Sequence, residues 1–66
     1  MSNNYVIHNP GGVRVFLVGT LAEAELFTMQ AAARWGMPAT LAASDGKTLL
    51  TAEVDDTGEP ITLLRA

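Results

Sequence analysis

The sequence predicts an α+β fold, a small single domain in which one helix packs on an antiparallel sheet of four to five strands, in the order ββαββ with a short fifth strand. Three observations lead to this prediction. Two β-rich runs flank a Pro-Gly turn, an apolar run with the start and stop signals of a helix follows, and further β-rich runs flank an Asp-Gly pair. Since 66 residues show no linker or repeat, residues 1–66 form one domain.

The first two strands are predicted at residues 5–8 and 13–18, on either side of the sequence NPGG. Proline fixes φ near the value that the second position of a turn needs, and glycine accepts positive φ, so these four residues close a hairpin. The second run, VRVFLV, is apolar on both faces apart from Arg14. Such a strand usually lies in the centre of a sheet and is covered on both faces, and we expect a central position for it.

The helix is predicted to begin at Thr20, because Thr20 and Glu23 have the spacing of a capping box. It ends at about Trp35, since Gly36 suits a left-handed C-cap and Pro38 prevents the helix from resuming.

Two further strands are predicted at residues 39–44 and 47–54, around a two-residue hairpin turn at Asp45-Gly46. A turn-rich link, residues 55–60, leads to a short fifth strand at residues 61–64. Proline at the end of this link suits the start of an edge strand.

The predicted helix has two apolar faces, whereas one helix on one sheet can bury one. At about 100° per residue, one face contains Leu21, Ala24, Phe27, Thr28, Ala31 and Trp35, and the other, the helix stripe, contains Ala22, Leu26, Met29 and Ala33. We expect the first face on the sheet because its aromatic residues supply the larger area. The helix stripe is then a surface for self-association or for a partner, unless the helix lies deep between the hairpins or the two faces are reversed.

No motif in the chain predicts catalysis, a cofactor or a metal site. The GKT at residues 46–48 resembles the end of a phosphate-binding loop, but Leu41 occupies the position of the first glycine and a strand follows in place of a helix. The single histidine, His8, could pair with Ser44 or Asp45 in a triad, but a histidine beside a turn is more often a simple hydrogen-bonding residue. The chain has no cysteine to hold zinc.

The charge of the chain disfavours direct binding to nucleic acid. The net charge is −3, and the four basic residues are scattered, so no basic patch is available for phosphates. Four carboxylates cluster near the fifth strand, and they form either a solvated turn or a contact for a basic partner. This acidic segment consists of Glu53, Asp55, Asp56 and Glu59.

The first residues show neither a signal peptide nor an anchor, and no apolar run has the length of a membrane span. Together with the absence of cysteine, which fits a reducing compartment, this favours a cytoplasmic protein without a membrane partner.

These observations favour a non-catalytic protein-binding module whose interface residues are the helix stripe and the acidic segment. The first hypothesis is a small acidic inhibitor or adaptor that blocks a larger host complex, including one that binds nucleic acid, as phage or mobile-element proteins such as anti-CRISPRs do. It follows from size and charge class alone, because the residues contain no family motif. The alternative is a homo-oligomeric structural or regulatory small subunit, with a homodimer as its simplest form.

Overall fold

The computed structural model describes residues 3–57 and 60–66 and confirms the predicted α+β class. Five antiparallel strands form one sheet in the order β2-β1-β3-β4-β5, and one helix packs on it. The fifth strand has six residues, as many as the first two, and is therefore longer than expected. The elements are β1 (Asn3–His8), β2 (Arg14–Gly19), α1 (Leu21–Trp35), β3 (Ala39–Ala43), β4 (Thr48–Val54) and β5 (Pro60–Arg65).

The expectation that residues 13–18 form a central strand is wrong, because β2 lies at one edge of the sheet. The cause is the path of the chain. The hairpin to β2 occupies one side of β1, and after α1 the chain returns as β3 on the other side of β1. β2 and β3 therefore flank β1 in a split β-α-β arrangement, and β2 has a neighbour on one side.

The first hairpin closes where the sequence predicts it. Asn9 is buried, its Oδ1 accepts a hydrogen bond from the Val13 N–H (3.2 Å), and its carbonyl accepts one from the Gly12 N–H (3.1 Å). Gly12 has a φ of +89°, a conformation that side chains with a Cβ rarely adopt.

The second hairpin has a three-residue loop, residues 44–46, in place of the predicted two-residue turn. The Gly46 N–H donates to the Ala43 carbonyl and the Ala43 N–H donates to the Lys47 carbonyl, both at 2.9 Å. Gly46 has a φ of +90°, which completes a turn followed by a left-handed residue, the next most common hairpin geometry.

The helix begins and ends as predicted. Thr20 is the N-cap, its hydroxyl accepts from the Glu23 N–H, and Glu23 Oε1 accepts from the Thr20 N–H at 2.9 Å. Gly36 takes the left-handed conformation at the C-cap, with a φ of 66°.

The helix contacts the sheet mainly through small side chains. Thr28 is fully buried, and its hydroxyl donates to the Ala24 carbonyl at 2.7 Å, so it enters the core without an unpaired polar atom. Opposite α1 lie the large buried side chains of the sheet, Ile7, Leu41 and Leu50. Small residues allow a helix to approach a sheet closely, and the buried residues of α1 are Ala24, Thr28, Ala31 and Ala32.

The expectation that Phe27 packs on the sheet is wrong, because this side chain is 47% exposed. Leu21, assigned to the same face, is also exposed, whereas Trp35 is half-buried against the core. The fully buried Ala32 was assigned to neither face. The buried face is thus made of alanine and threonine. At about 100° per residue Phe27 lies at the margin of this face, and Leu21 and Trp35 are the first and last residues of the helix.

The alanine contact makes a stability prediction. Ala32→Leu should lower the free energy of unfolding by about 1–3 kcal/mol, because the added atoms must push the helix from the sheet. The matched variant Ala33→Leu, one residue further on an exposed position, should change it by less than about 0.5 kcal/mol. Urea unfolding followed by the fluorescence of the single tryptophan, Trp35, measures both. Equal losses in the two variants would contradict the close contact.

Candidate functional site

The most exposed large apolar side chains of the described residues lie on the edge strand β2. Phe16 is 77% exposed and Val18 is 71% exposed. Their neighbours Val15 and Leu17 pack against the core, and successive side chains of a strand point to opposite faces. Phe16 and Val18 therefore lie on the face of the sheet opposite α1, which no element of the described chain covers.

On the other face, a groove of about 450 Å³ separates α1 from β2. Val15 contributes from the strand, Phe27, Ala31 and Trp35 contribute apolar surface from the helix, and Gln30 and Arg34 complete the lining. A second concavity, of about 300 Å³, includes Phe16 and Arg14 on the uncovered face.

Apolar surface is thus available on both faces of one sheet edge. We name the exposed side chains Phe16, Val18 and Phe27, with the groove beside Val15 and Trp35, the β2 surface. Large apolar surface that folding leaves exposed is characteristic of binding sites in small proteins.

The helix stripe is less continuous than the sequence suggests. Leu26 is 56% exposed, and Ala22 and Ala33 are exposed beside it. Met29 is half-buried and packs against the core. The exposed part is one large side chain between alanines, and single exposed apolar residues are normal on protein surfaces.

Three members of the acidic segment are described, and Glu59 lies outside the described residues. Glu53 and Asp56 are exposed. Asp55 Oδ1 accepts hydrogen bonds from the Thr57 N–H (2.9 Å) and the Thr57 hydroxyl (2.6 Å). Asp55 therefore shapes the turn after β4, while the two exposed carboxylates face solvent.

Two other carboxylates have structural partners. Arg65 donates to Glu25 from Nη1 (2.7 Å) and Nη2 (3.1 Å), and these hydrogen bonds lower the pKa of Glu25. The hydrogen bond from the Thr20 backbone N–H, with that from its hydroxyl, lowers the pKa of Glu23. The first pair ties α1 to β5, and the second closes the start of the helix.

The candidate catalytic residues are not brought together. His8 lies opposite Thr40 of β3, four positions from Ser44, or about 13 Å along an extended strand. Asp45 Oδ1 accepts from the Lys47 N–H at 2.9 Å inside the second hairpin. Among the described residues, no three side chains of His, Cys, Asp or Glu are grouped as metal ligands.

Comparison with known proteins gives no relative: no family, curated protein or solved structure matches this chain. Within the part of the chain that the structure describes, no helix has the length and apolar character needed to cross a membrane.

Sequence reasoning did not identify the β2 surface, although its signal was present. The run VRVFLV is apolar on both faces, which predicted a covered strand, but the sequence alone did not show that β2 would lie at the edge. An exposed apolar strand at an edge offers its unpaired backbone groups to another strand.

The ion pair of α1 with β5 predicts the acid response of the fold. Because the pKa of Glu25 is lowered from 4.5, the pair stabilises the fold above pH 4.5, and this contribution is lost as the pH falls through the lowered pKa. Arg65→Met should return the pKa of Glu25 toward 4.5, whereas the control Arg34→Met should leave it lowered. NMR titration of the Glu25 carboxyl measures this, and an unchanged pKa in Arg65→Met would contradict the pairing.

Proposed function

We propose that this protein is a non-catalytic protein-binding module that acts by occupying the surface of a partner. The observation that supports this proposal is the β2 surface, where exposed apolar side chains lie on both faces of a free sheet edge. An extended segment of another protein fits such an edge, because its backbone can continue the sheet while its side chains contact both faces.

Charge favours a protein over a nucleic acid as the partner. The cationic side chains near the β2 surface are Arg14 and Arg34, and the chain carries a net charge of −3. Binding to a phosphate backbone depends on Lys and Arg neutralising phosphates, and the chain has only two other basic residues, Lys47 and Arg65.

Within this proposal, the most specific role is that of a small inhibitor or adaptor that blocks a larger host complex, as anti-CRISPR proteins of phages do. The exposed carboxylates Glu53 and Asp56 support a contact with a basic surface, such as the channel of a complex that binds nucleic acid. A second role, a homo-oligomeric small subunit, is favoured by the free edge of β2, which offers the same strand in every copy.

The proposal predicts which variants lose a partner. With the purified protein as bait, a partner retained by the wild type should be lost by Phe16→Ser/Val18→Ser, because the variant removes the apolar contact without touching the core. Leu26→Ser, which removes an exposed side chain from the helix stripe, should retain it. Affinity capture followed by mass spectrometry, and a binding titration with the identified protein, measure the effect. Partners that bind the double variant as tightly as the wild type would sink the proposal.

The inhibitor role makes a separate electrostatic prediction. Replacing the acidic segment by amides, with Glu53→Gln, Asp55→Asn, Asp56→Asn and Glu59→Gln, should weaken binding to the captured partner and reduce its dependence on salt. Asn at position 55 keeps the oxygen that accepts from Thr57, so the turn is preserved. The control Asp45→Asn changes a carboxylate in the other hairpin and should have little effect. Unchanged affinity and salt dependence would remove the electrostatic part of the proposal.

A further inference from the structure

The outer edge of β2 carries backbone groups without a strand to pair with. At the end of the first hairpin the Asn9 N–H donates to the Val13 carbonyl at 3.2 Å, and residue pairs in an antiparallel ladder alternate between bonded and non-bonded. Counting from that pair, the odd-numbered residues of β2 bond to β1. The even-numbered residues direct their N–H and C=O groups away from it, and these residues are Arg14, Phe16 and Val18.

The two edges of the sheet differ in how they are protected. β5 begins at Pro60, its register against β4 shifts between Glu53 and Val54, and Arg65 is paired with Glu25. Proline, irregular register and charge are the devices by which proteins discourage edge pairing. β2 has an uninterrupted register with β1 and a single charged residue, Arg14, so pairing at this edge meets little opposition.

We infer that β2 pairs with β2 of a second copy of this chain, antiparallel, about a two-fold axis perpendicular to the sheet beside Phe16. The two five-stranded sheets then form one continuous sheet, with both helices on the same side. The inference rests on the proposed function, because it names one protein that the β2 surface binds. The second copy also covers the free edge of β2, a strand that is apolar on both faces apart from Arg14.

The register between the two β2 strands follows from their outward backbone N–H and C=O groups and from the charge of Arg14. With Phe16 opposite Phe16 of the second copy, Arg14 faces Val18 of that copy, and all outward groups are used in about six hydrogen bonds. A shift of two residues along the strand leaves about four hydrogen bonds. A shift of four residues leaves about two hydrogen bonds in either direction. In one direction it also places Arg14 opposite Arg14 of the second copy, and like charges directly opposite are destabilising. The centred register therefore has the most hydrogen bonds and no charge conflict.

Side chains support the same register on both faces. On the uncovered face the two Phe16 rings are neighbours, an aromatic pair of the kind that stabilises cross-strand contacts. On the helix face Val15 lies beside Leu17 of the second copy, and the groove lined by Phe27 and Trp35 opens toward the same groove across the axis. Phe16 and the groove thus meet their equivalents, while the exposed Val18 lies opposite Arg14 of the second copy.

This contact is small for a protein interface. Six residues of strand are about 20 Å long, and a helix on a sheet is about 20 Å deep, which gives at most about 400 Å² per copy or about 800 Å² in total, since a groove separates α1 from β2. Stable interfaces bury about 1,200–2,000 Å². The dimer is therefore weak and depends on concentration, so its mass must be followed over a concentration series.

Cysteine cross-linking tests the register, because the chain contains no cysteine of its own. Arg14→Cys and Val18→Cys, one of them carrying a tag, are mixed under mild oxidation. Bonded pairs in an antiparallel ladder have Cα atoms about 5.5 Å apart, within the range of a disulfide. In this register two copies of either single variant hold their thiols about 14 Å apart.

The mixture should therefore form a disulfide species of twice the 7.0 kDa mass, and neither variant alone should form it at a comparable rate. A mixture that cross-links no faster than the single variants would overturn the inference. So would rapid cross-linking of Leu26→Cys alone, because that result places the contact on the helix stripe.

Light scattering tests the pairing without a thiol. The mass of the wild type should rise toward twice its value with concentration, whereas Phe16→Lys should keep the single mass, since two lysines would lie opposite each other. Leu26→Lys is the matched control and should behave as the wild type. Both positions are exposed, and circular dichroism verifies that the variants fold. A wild type that keeps the single mass at millimolar concentration overturns the inference.

This outcome is distinct from a failure of the proposed function. A monomeric wild type that still captures a foreign protein through Phe16 and Val18 overturns the dimer and leaves the protein-binding role in place. If the dimer forms and no foreign protein is captured, the inhibitor role fails and the homo-oligomeric role remains.

Discussion

The contact between helix and sheet holds the two layers of the fold together, and it is made by small side chains from the helix and large ones from the sheet. Ala24, Ala31 and Ala32 occupy the buried face of α1, while Ile7, Leu41 and Leu50 provide the bulk from the sheet. Phe27 lies at the margin of this face and is half exposed. With Val15 and Trp35 it lines the groove beside β2.

The small size of the domain explains why apolar surface stays exposed to solvent. A domain of about 60 residues buries only about 60% of the surface of its unfolded chain. Here the two most exposed large apolar side chains of the described residues, Phe16 and Val18, lie at the β2 edge, on the face of the sheet that α1 leaves open, and Leu26 and Leu64 are exposed elsewhere. The two edge strands also differ in charge. Arg65 of β5 pairs with Glu25 of α1, whereas the single charged residue of β2 is Arg14. Both β2 and β5 are edge strands, but the features of β5 discourage pairing and those of β2 favour it.

Local signals in the sequence predicted the elements well. Thr20 with Glu23, Gly36, and the glycines of both hairpins act within a few residues, so their conformations follow from nearby chemistry. The position of β2 could not be predicted in this way, since it depends on which side of β1 receives β3. The exposure of Phe27 and the partial burial of Met29 could not be predicted either. Periodicity gives the direction of each side chain around the helix, but it does not show how the helix lies on the sheet.

The strand order has a consequence for how the chain reaches its fold. β1·β2, β3·β4 and β4·β5 each join strands that follow one another in the chain, and β1·β3 is the pairing that spans the helix. Local pairings close short loops at little entropic cost, whereas β1·β3 must close a long one. We therefore expect the slow step of folding to be the joining of an N-terminal hairpin to a C-terminal meander. The alanine face of α1, which contacts both β1 and β3, should then influence the speed of folding as well as the stability of the product.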